Sequence, residues 1–364
     1  MACKGSLLIV ARERGRFSWH KVYEPQSYYF SYKEAIAVTV EVYKSLKEDL
    51  LYERMNTKMI FRIKKRFIMC LIFILIFNLN ITTKALENKN NKAIKQDLLC
   101  LMLAYPEDIT DIKVNDNGLI YIKMKSQKLI LYDDKKTKTI EEKINNADLQ
   151  DTMEQLYPLS FPKGLMEKNF DPGRLRNYEL LKEVYGSTKS SVEANLKKAN
   201  IGYGNLQFNG NNNAAKELSA AIKEAATMSK GNENIRRALF PTSGTFNYRN
   251  ISGTNRLSPH AFGIAIDLAS NKNDYWKWAS VKEGEKRLLT YPKELVNIFE
   301  NHNFIWGGKW NHFDILHYEY RPEIIIKARY FSGKIEDDSV WYKKILLDNI
   351  EVKEKIEYIN KVIN

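Results

Sequence analysis

Apolar and polar residues alternate over positions 111–133 with the period of two that is typical of half-buried β-strands. Asn117 and Gly118 interrupt this alternation, and an Asn-Gly pair favours the tight turn of a β-hairpin. A polar linker rich in Asn and Lys, residues 88–92, precedes the stretch. We therefore expect residues 86–165 to form a small α+β module, and no motif within it indicates chemistry.

Apolar residues three and four positions apart predict a helix over residues 214–228. Its buried stripe would comprise Leu218, Ala221, Ile222 and Ala225. The asparagines at 211–213 offer a side chain that can cap its amino terminus. An amphipathic pattern from about residue 337 onwards predicts a closing helix, so residues 336–364 are interpreted as a C-terminal helix.

Residues 166–335 combine predicted helices with short predicted strands. Pro292 favours the first turn of a helix, because the amide hydrogen that proline lacks would be unpaired there anyway. The apolar run Phe304–Trp306 predicts a strand, and the run IAID that ends at Asp267 predicts another. This mixture predicts an α+β fold for the chain.

Residues 59–85 have the organisation of a signal peptide or a membrane anchor. Basic residues precede an uninterrupted apolar run over 67–77, and small residues follow it. The run is shorter than the ~18–20 residues that cross a bilayer comfortably, which favours a cleaved signal over an anchor through 67–81. In both cases the rest of the chain is expected to be extracytoplasmic. Residues 1–58 contain one amphipathic pattern, over 31–50, that predicts a helix and indicates no function.

The charge and the cysteines exclude several classes of protein. The net charge is +13, but no RNP-like, zinc-finger or helix-turn-helix pattern accompanies it, so we expect no nucleic-acid partner. A lysine-rich solvated surface is the simplest explanation of the charge. Cys3, Cys70 and Cys100 have no paired spacing, which excludes a disulfide framework and a thiolate zinc site.

Two short motifs contain side chains that bind metals and transfer protons. The first reads SPHAFGIAID and places His260 seven residues before Asp267. The second reads DILH and places Asp314 three residues before His317. Two imidazoles and one carboxylate around an open fourth position can form a catalytic zinc site, and a further carboxylate beside it can act as a general base.

These motifs, together with the run WGGKW, resemble the D-alanyl-D-alanine carboxypeptidase (VanY-like) family of zinc metallopeptidases. The family includes vancomycin-resistance D,D-peptidases and phage endolysins that cut L-Ala-D-Glu bonds. The resemblance implies that His260, Asp267 and His317 bind Zn²⁺ and that Asp314 is the general base. It also implies that Arg249, in NYRNISGTNRLSPH, holds the substrate carbonyl or the developing oxyanion.

The resemblance implies a compact zinc-peptidase domain over residues 166–335, with a central antiparallel sheet that holds the metal and helices that flank it. The implied activity is hydrolysis of peptidoglycan stem peptides by a secreted, periplasmic or membrane-anchored protein that faces the cell wall. The terminal D-Ala-D-Ala bond is the expected target. The L-Ala-D-Glu bond is the alternative within the family, and a non-catalytic wall-binding module that keeps its zinc is a second alternative.

Other residues near the motifs are expected to support the site. Ser258 is expected to brace the loop before the first histidine. Glu319 is expected either to orient His317 through its second ring nitrogen or to bridge to a neighbouring residue. His312 has no metal role in the family pattern and is interpreted as a packing or cleft-rim residue. The run from Trp306 to Trp310 is predicted to form one wall of the peptide groove.

Overall fold

The chain divides into two compact units, residues 1–83 and residues 84–364. The computed structural model describes residues 91–333 except Tyr203, residues 340–342, 345 and 349–363, the single residues Lys44 and Met69, and the backbone of four short amino-terminal strands. Apart from Lys44 and Met69, the predicted helix over 31–50 and the predicted signal or anchor over 59–85 lie outside these residues. Among the helices that the structure describes, none has the length and apolar character needed to span a bilayer.

The described part of the first unit consists of two antiparallel strand pairs. Strand β1 (Cys3–Lys4) pairs with β4 (Tyr29–Phe30), and β2 (Leu8–Glu13) pairs with β3 (Arg16–Lys21). The register of the longer pair runs from Leu8 opposite Lys21 to Glu13 opposite Arg16.

The described part of the second unit begins with a helix, α1, over residues 91–104, followed by a three-stranded antiparallel sheet. Its strands, in spatial order, are β5 (Ile109–Val114), β6 (Ile120–Met124) and β7 (Leu129–Leu131). The Asn115 side chain accepts hydrogen bonds from the amides of Asn117 and Leu119 in the turn between β5 and β6. Gly118 has a φ of +74°, which glycine adopts without a steric penalty. The predicted hairpin is confirmed.

Ten further α-helices follow in the described part of this unit. In chain order they are α2 (Ile140–Asn145), α3 (Leu149–Glu154), α4 (Tyr178–Tyr185), α5 (Lys189–Asn195), α6 (Ala214–Ser229), α7 (Glu233–Leu239), α8 (Val281–Leu289), α9 (Lys293–Asn301), α10 (Pro322–Tyr330) and α11 (Ile350–Val362). An antiparallel pair, β8 (Leu196–Asn200) and β9 (Asn205–Asn209), lies between α5 and α6. The predicted α+β class is confirmed.

A small antiparallel sheet at the centre of the unit carries the two motifs. Its strands are β10 (Ala265–Asp267), β11 (Phe304–Trp306) and β12 (His317–Tyr320), with β12 in the middle. β10 and β12 pair so that Asp267 lies directly opposite His317. The strands predicted at IAID and at 304–306 are thus confirmed, and the register joins residues of the two motifs.

Helix α6 has the predicted buried stripe, since Leu218, Ala221, Ile222 and Ala225 are all completely buried. The predicted cap is wrong. Residues Asn211–Asn213 form a 3-10 turn, Asn213 adopts a left-handed conformation with φ 61°, and its side chain makes no capping hydrogen bond. A left-handed residue does not have the extended backbone that aims an N-cap side chain at the amides of the first turn.

Two other predicted boundaries need correction. Pro292 is the residue before α9 and not its first helical residue. The closing helix begins only at Ile350, and Trp341 and Tyr342 lie in a turn before it. Asn349 explains this start, because its side chain accepts hydrogen bonds from the amides of Glu351 and Val352.

Residues 91–165 and 166–333 share one hydrophobic core. Buried tyrosines link them: Tyr105 Oη donates to Glu323 Oε2 at 2.6 Å, and Tyr157 Oη donates to Glu300 Oε1 at 2.6 Å. The domain boundary expected near residue 165 stays a prediction. Residues 166–333, which contain the site, nevertheless pack directly against residues 91–165.

Candidate metal centre and active site

Three side chains from separate elements converge on one point. His260 lies on a 3-10 turn (Pro259–Phe262), Asp267 ends β10, and His317 begins β12. His260 Nε2 lies 3.2 Å from His317 Nδ1 and 3.3 Å from Asp267 Oδ2, and Asp267 Oδ1 lies 2.8 Å from His317 Nδ1. The structure therefore brings together the three residues predicted to bind the metal.

The local sequence around His260 holds its backbone in place. The Ser258 side chain caps the 3-10 turn by accepting a hydrogen bond from the amide of His260 at 3.3 Å, as expected for a bracing residue. Gly263 ends the turn with a φ of +67°, and its carbonyl accepts a hydrogen bond from the amide of Asn209 at 2.8 Å. Glycine is favoured here because a side chain would strain the left-handed backbone.

The outer nitrogen of each imidazole faces an acceptor. His260 Nδ1 lies 2.6 Å from the carbonyl oxygen of Thr245, and His317 Nε2 lies 3.0 Å from Oε1 of Glu319. Because these oxygens only accept, the outer nitrogens donate the hydrogen bonds and the inner nitrogens can present lone pairs. This arrangement fixes the tautomer that metal binding requires. The expected orientation of His317 by Glu319 is present.

The electrostatic field at this point favours a cation. Burial lowers the pKa of His317, but hydrogen bonds and charges from Asp267 and Glu319 outweigh it and raise that pKa to about 10. Burial also raises the pKa of Asp267, yet hydrogen bonds from both histidines outweigh it and hold that pKa well below its usual range. Two imidazoles and a carboxylate in such a field fit a divalent transition metal.

Asp314 lies beside this centre and belongs to the loop between β11 and β12. Its amide donates to the carbonyl of Gly307 at 3.0 Å, and its carbonyl accepts from the amide of His317 at 3.1 Å. An isolated bridge pairs its backbone with Tyr275. Within the described residues its carboxylate accepts no hydrogen bond, so it is available to a substrate or a water molecule.

The environment of Asp314 favours the protonated carboxyl more than usual. Burial raises its pKa most, His317 lowers it, and the nearby carboxylates of Asp267 and Asp274 raise it again. The resulting pKa is about 7. A carboxyl group with a pKa near neutrality can both accept and return a proton at physiological pH.

Arg249 lies on the loop that leads into the first motif, where its carbonyl accepts a hydrogen bond from the amide of Ser258 at 3.0 Å. Its guanidinium is exposed. Its charge acts on Tyr275, whose pKa is raised by burial and by Asp314 and lowered by Arg174 and Arg249. Arg174 and Arg249 thus both act on Tyr275, whose backbone pairs with that of Asp314, and Arg174 was not predicted from the sequence.

His312 and the tryptophans have other roles. His312 Nδ1 lies 2.7 Å from Oδ2 of Asp171, and its ring packs edge-on against Trp276, which agrees with a packing or rim residue outside the metal group. Trp306 is completely buried and stacks on Tyr291, so its predicted place in the groove wall is wrong. Trp310 is also buried, and its ring centroid lies 5.9 Å from that of His317.

Arg176 is a supporting residue that the sequence motifs did not reveal. It lies just before α4, and its Nε donates to Oε2 of Glu319 at 3.0 Å while its second nitrogen bonds Oε1. No local pattern around Arg176 indicates this role. The sequence indicates only the partner of Arg176, because the spacing of His317 and Glu319 places both side chains on the same face of β12.

A second group of carboxylates, at Asp133, Asp134 and Asp148, is also close enough to bind a cation. Lys138 already neutralises it, because its ammonium lies 2.7 Å from Asp148 and 3.1 Å from Asp134. Of the two clusters found in the described part of the chain, the one around His260 therefore fits a metal better.

Residues 252–320 match the family model described as D-alanyl-D-alanine carboxypeptidase. No curated protein and no solved structure gives a significant match to the chain. The matched segment contains both motifs and ends one residue after Glu319. It confirms the resemblance that the motifs indicated: this segment is similar to the D-alanyl-D-alanine carboxypeptidase family of peptidases.

Proposed function

We propose that the chain is a zinc-dependent peptidase that hydrolyses the terminal D-Ala-D-Ala bond of peptidoglycan stem peptides. One observation carries this proposal: His260, Asp267 and His317 point ligand atoms at a common centre, with all these atoms within 4.8 Å of one another. The family match adds the substrate class. The sequence of residues 59–85 supports an extracytoplasmic site of action.

A metal held by these three residues would act as a Lewis acid that polarises the scissile carbonyl and acidifies water. Zinc is the metal proposed, because two histidines and one carboxylate leave an open fourth position for a reacting group. Thr245 and Glu319 hold the outer ring nitrogens, which keeps both imidazoles in their ligand orientation.

Asp314 accepts the proton of the attacking water and then donates it to the leaving amine. Its pKa of about 7 suits both halves of this transfer, because the group is neither a strong acid nor permanently protonated. We assign Arg249 to the substrate, where its guanidinium would pair with the developing oxyanion or with the carboxylate of the terminal D-alanine.

The test uses the full-length chain loaded with zinc and defined muropeptides that end in D-Ala-D-Ala, with the products followed by mass spectrometry. Asp314→Asn removes the proposed base, and Asp116→Asn makes the same chemical change on an exposed turn. We expect the wild type and Asp116→Asn to release one alanine, and Asp314→Asn to lose this activity while it still binds zinc.

Other results would select the alternatives. Cleavage behind L-Ala, abolished by Asp314→Asn, would make the protein an L-Ala-D-Glu endopeptidase. Stoichiometric zinc without cleavage of either bond would refute the peptidase proposal for these substrates and favour a non-catalytic wall-binding module. Absence of metal binding by the wild type would refute the proposed cofactor.

A further inference from the structure

We propose that Arg176 is a positioning residue for the metal centre, acting on His317 through Glu319, and that Arg321, Glu323 and Tyr105 complete the same support. Metal affinity then depends on residues that lie outside the segment that matches the family model. The inference rests on the proposed metal site and names the groups that hold one of its ligands.

The first link follows from the pleat of β12. Side chains two residues apart point to the same face of a strand, so His317 and Glu319 lie side by side, and Arg321 follows directly after the strand. His317 Nε2 and Glu319 Oε1 are 3.0 Å apart. Glu319 is completely buried, so water does not compete for its carboxylate.

The second link holds Glu319 itself. Arg176 binds both carboxylate oxygens through two nitrogens of its guanidinium, with Nε 3.0 Å from Oε2. A forked contact of this kind fixes the plane of the carboxylate as well as its position. Arg176 is in turn held by the carbonyl of Arg174, which accepts a hydrogen bond from Nη1 at 2.8 Å. Rotation of Glu319 away from His317 would break both bonds to Arg176.

The third link connects Glu319 to the first helix of the unit. Arg321 Nη1 lies 3.8 Å from Glu319 Oε2, and Arg321 Nε donates to Glu323 Oε1 at 2.6 Å. Tyr105, at the end of α1, donates to the other oxygen of Glu323 at 2.6 Å. Two arginines and two glutamates balance each other in a dry interior, which is the condition under which buried charges are tolerated.

Loss of the Arg176 side chain should affect His317 and neither of the other two proposed metal ligands. Without the Arg176 fork, Glu319 is a buried carboxylate with fewer partners, and it holds the imidazole less firmly in one tautomer and orientation. Loss of such outer partners typically reduces metal affinity by about 10- to 100-fold. His260 is held by the Thr245 carbonyl and is not affected.

The test measures zinc affinity of the full-length chain by competition with a chromophoric chelator, and it does not use turnover. We expect Arg176→Met to weaken zinc binding by about 10- to 100-fold. Arg176→Lys retains the charge but lacks the fork, so its affinity should lie between those of Arg176→Met and the wild type. The absorption spectrum of the Co²⁺-substituted protein should change in Arg176→Met, because the imidazole geometry changes.

Lys327→Met is the matched control. It also deprives a buried carboxylate, Asp97, of a cationic partner at 2.6 Å, but this pair does not contact the metal ligands. We expect Lys327→Met to lose stability and to keep the zinc affinity and Co²⁺ spectrum of the wild type. Equal losses of affinity in Arg176→Met and Lys327→Met would overturn the inference, because they would indicate general destabilisation.

The remaining outcomes are also decisive. An unchanged zinc affinity in folded Arg176→Met would overturn the positioning role while leaving the proposed function intact. If Arg176→Met does not fold, the folded Arg176→Lys variant decides, and wild-type affinity in that variant counts against the fork. A wild type that binds no zinc would overturn both this inference and the proposed cofactor.

Discussion

Replacement of Gly263 by alanine tests why the first motif contains a glycine after its histidine. Gly263 has a φ of +67°, a left-handed conformation that costs an L-residue about 1–2 kcal/mol. A Cβ atom there would lie 2.9 Å from Leu196 Cδ2 and 3.2 Å from the backbone nitrogen of Asn209. Overpacking of this kind adds about 1–3 kcal/mol. We therefore expect Gly263→Ala to lower the free energy of unfolding by about 2–5 kcal/mol.

Alanine variants at two other glycines separate the backbone cost from the overpacking cost. Gly253 has a φ of +77° and open space around its Cβ position, so Gly253→Ala should cost only the backbone term of about 1–2 kcal/mol. Gly231 also has open space and is not left-handed, so Gly231→Ala should lose no stability. The ordered series of three variants follows from the structure alone.

The assay is urea unfolding of the full-length chain with a chelator present, so that metal binding does not contribute. Tryptophan fluorescence reports mainly on the second unit, which contains all the tryptophans except Trp19. Equal m-values would show that the variants differ in stability and not in compactness. A loss in Gly263→Ala no larger than that in Gly253→Ala would refute the steric argument, and no loss in either would refute the backbone argument as well.

Three further results are expected. Zinc binding near pH 7.5 should release about one proton, since a pKa of about 10 keeps His317 protonated in the metal-free protein and this proton must leave before Nδ1 can bind. Calorimetry in buffers of different ionisation enthalpy measures the number of protons released. Zero release would contradict the assignment of His317 as a ligand that is protonated before zinc binds. Removal of metal by a chelator should lower the melting temperature of the wild type and leave that of Asp267→Asn unchanged, because only a chain that binds metal gains stability from it. Equal decreases of the melting temperature in the two proteins, measured by thermal unfolding, would be inconsistent with Asp267 as a ligand. Lys309→Met should reduce the free energy of unfolding by about 3–5 kcal/mol in urea titrations, because it leaves the Glu300 carboxylate buried without the Lys309 ammonium. A change below about 1 kcal/mol would show that the hydrogen bond from Tyr157 is enough to stabilise the buried Glu300.

Patterns that depend on neighbouring residues were predictable from the sequence. The Asn117–Gly118 turn, the stripe of α6 and the strand that ends at Asp267 follow from periodicities of two and of three to four residues. Boundaries were less predictable. The absent asparagine cap before α6 shows why, since the capping role depends on a backbone angle that composition does not determine.

The two motifs predicted the three residues that the structure brings together as a candidate metal group. Short spacings such as DILH and HYE place side chains on one turn or one strand face, and these local relations survive folding. The sequence alone did not determine that Asp267 and His317 are directly opposite in a sheet, because the register of β10 and β12 depends on how the intervening helices pack. The family resemblance supplied only the expectation of a central antiparallel sheet that holds the metal.

Only the tertiary structure decided which distant residues support the site and which do not line it. Arg176 reaches Glu319 from before α4, and Tyr105 joins the same buried network from the end of α1. Trp306 turned inward although its motif suggested a groove wall. The physical reason is that local sequence determines which face of an element a side chain occupies, whereas packing between elements determines whether that face meets solvent, core or another charge.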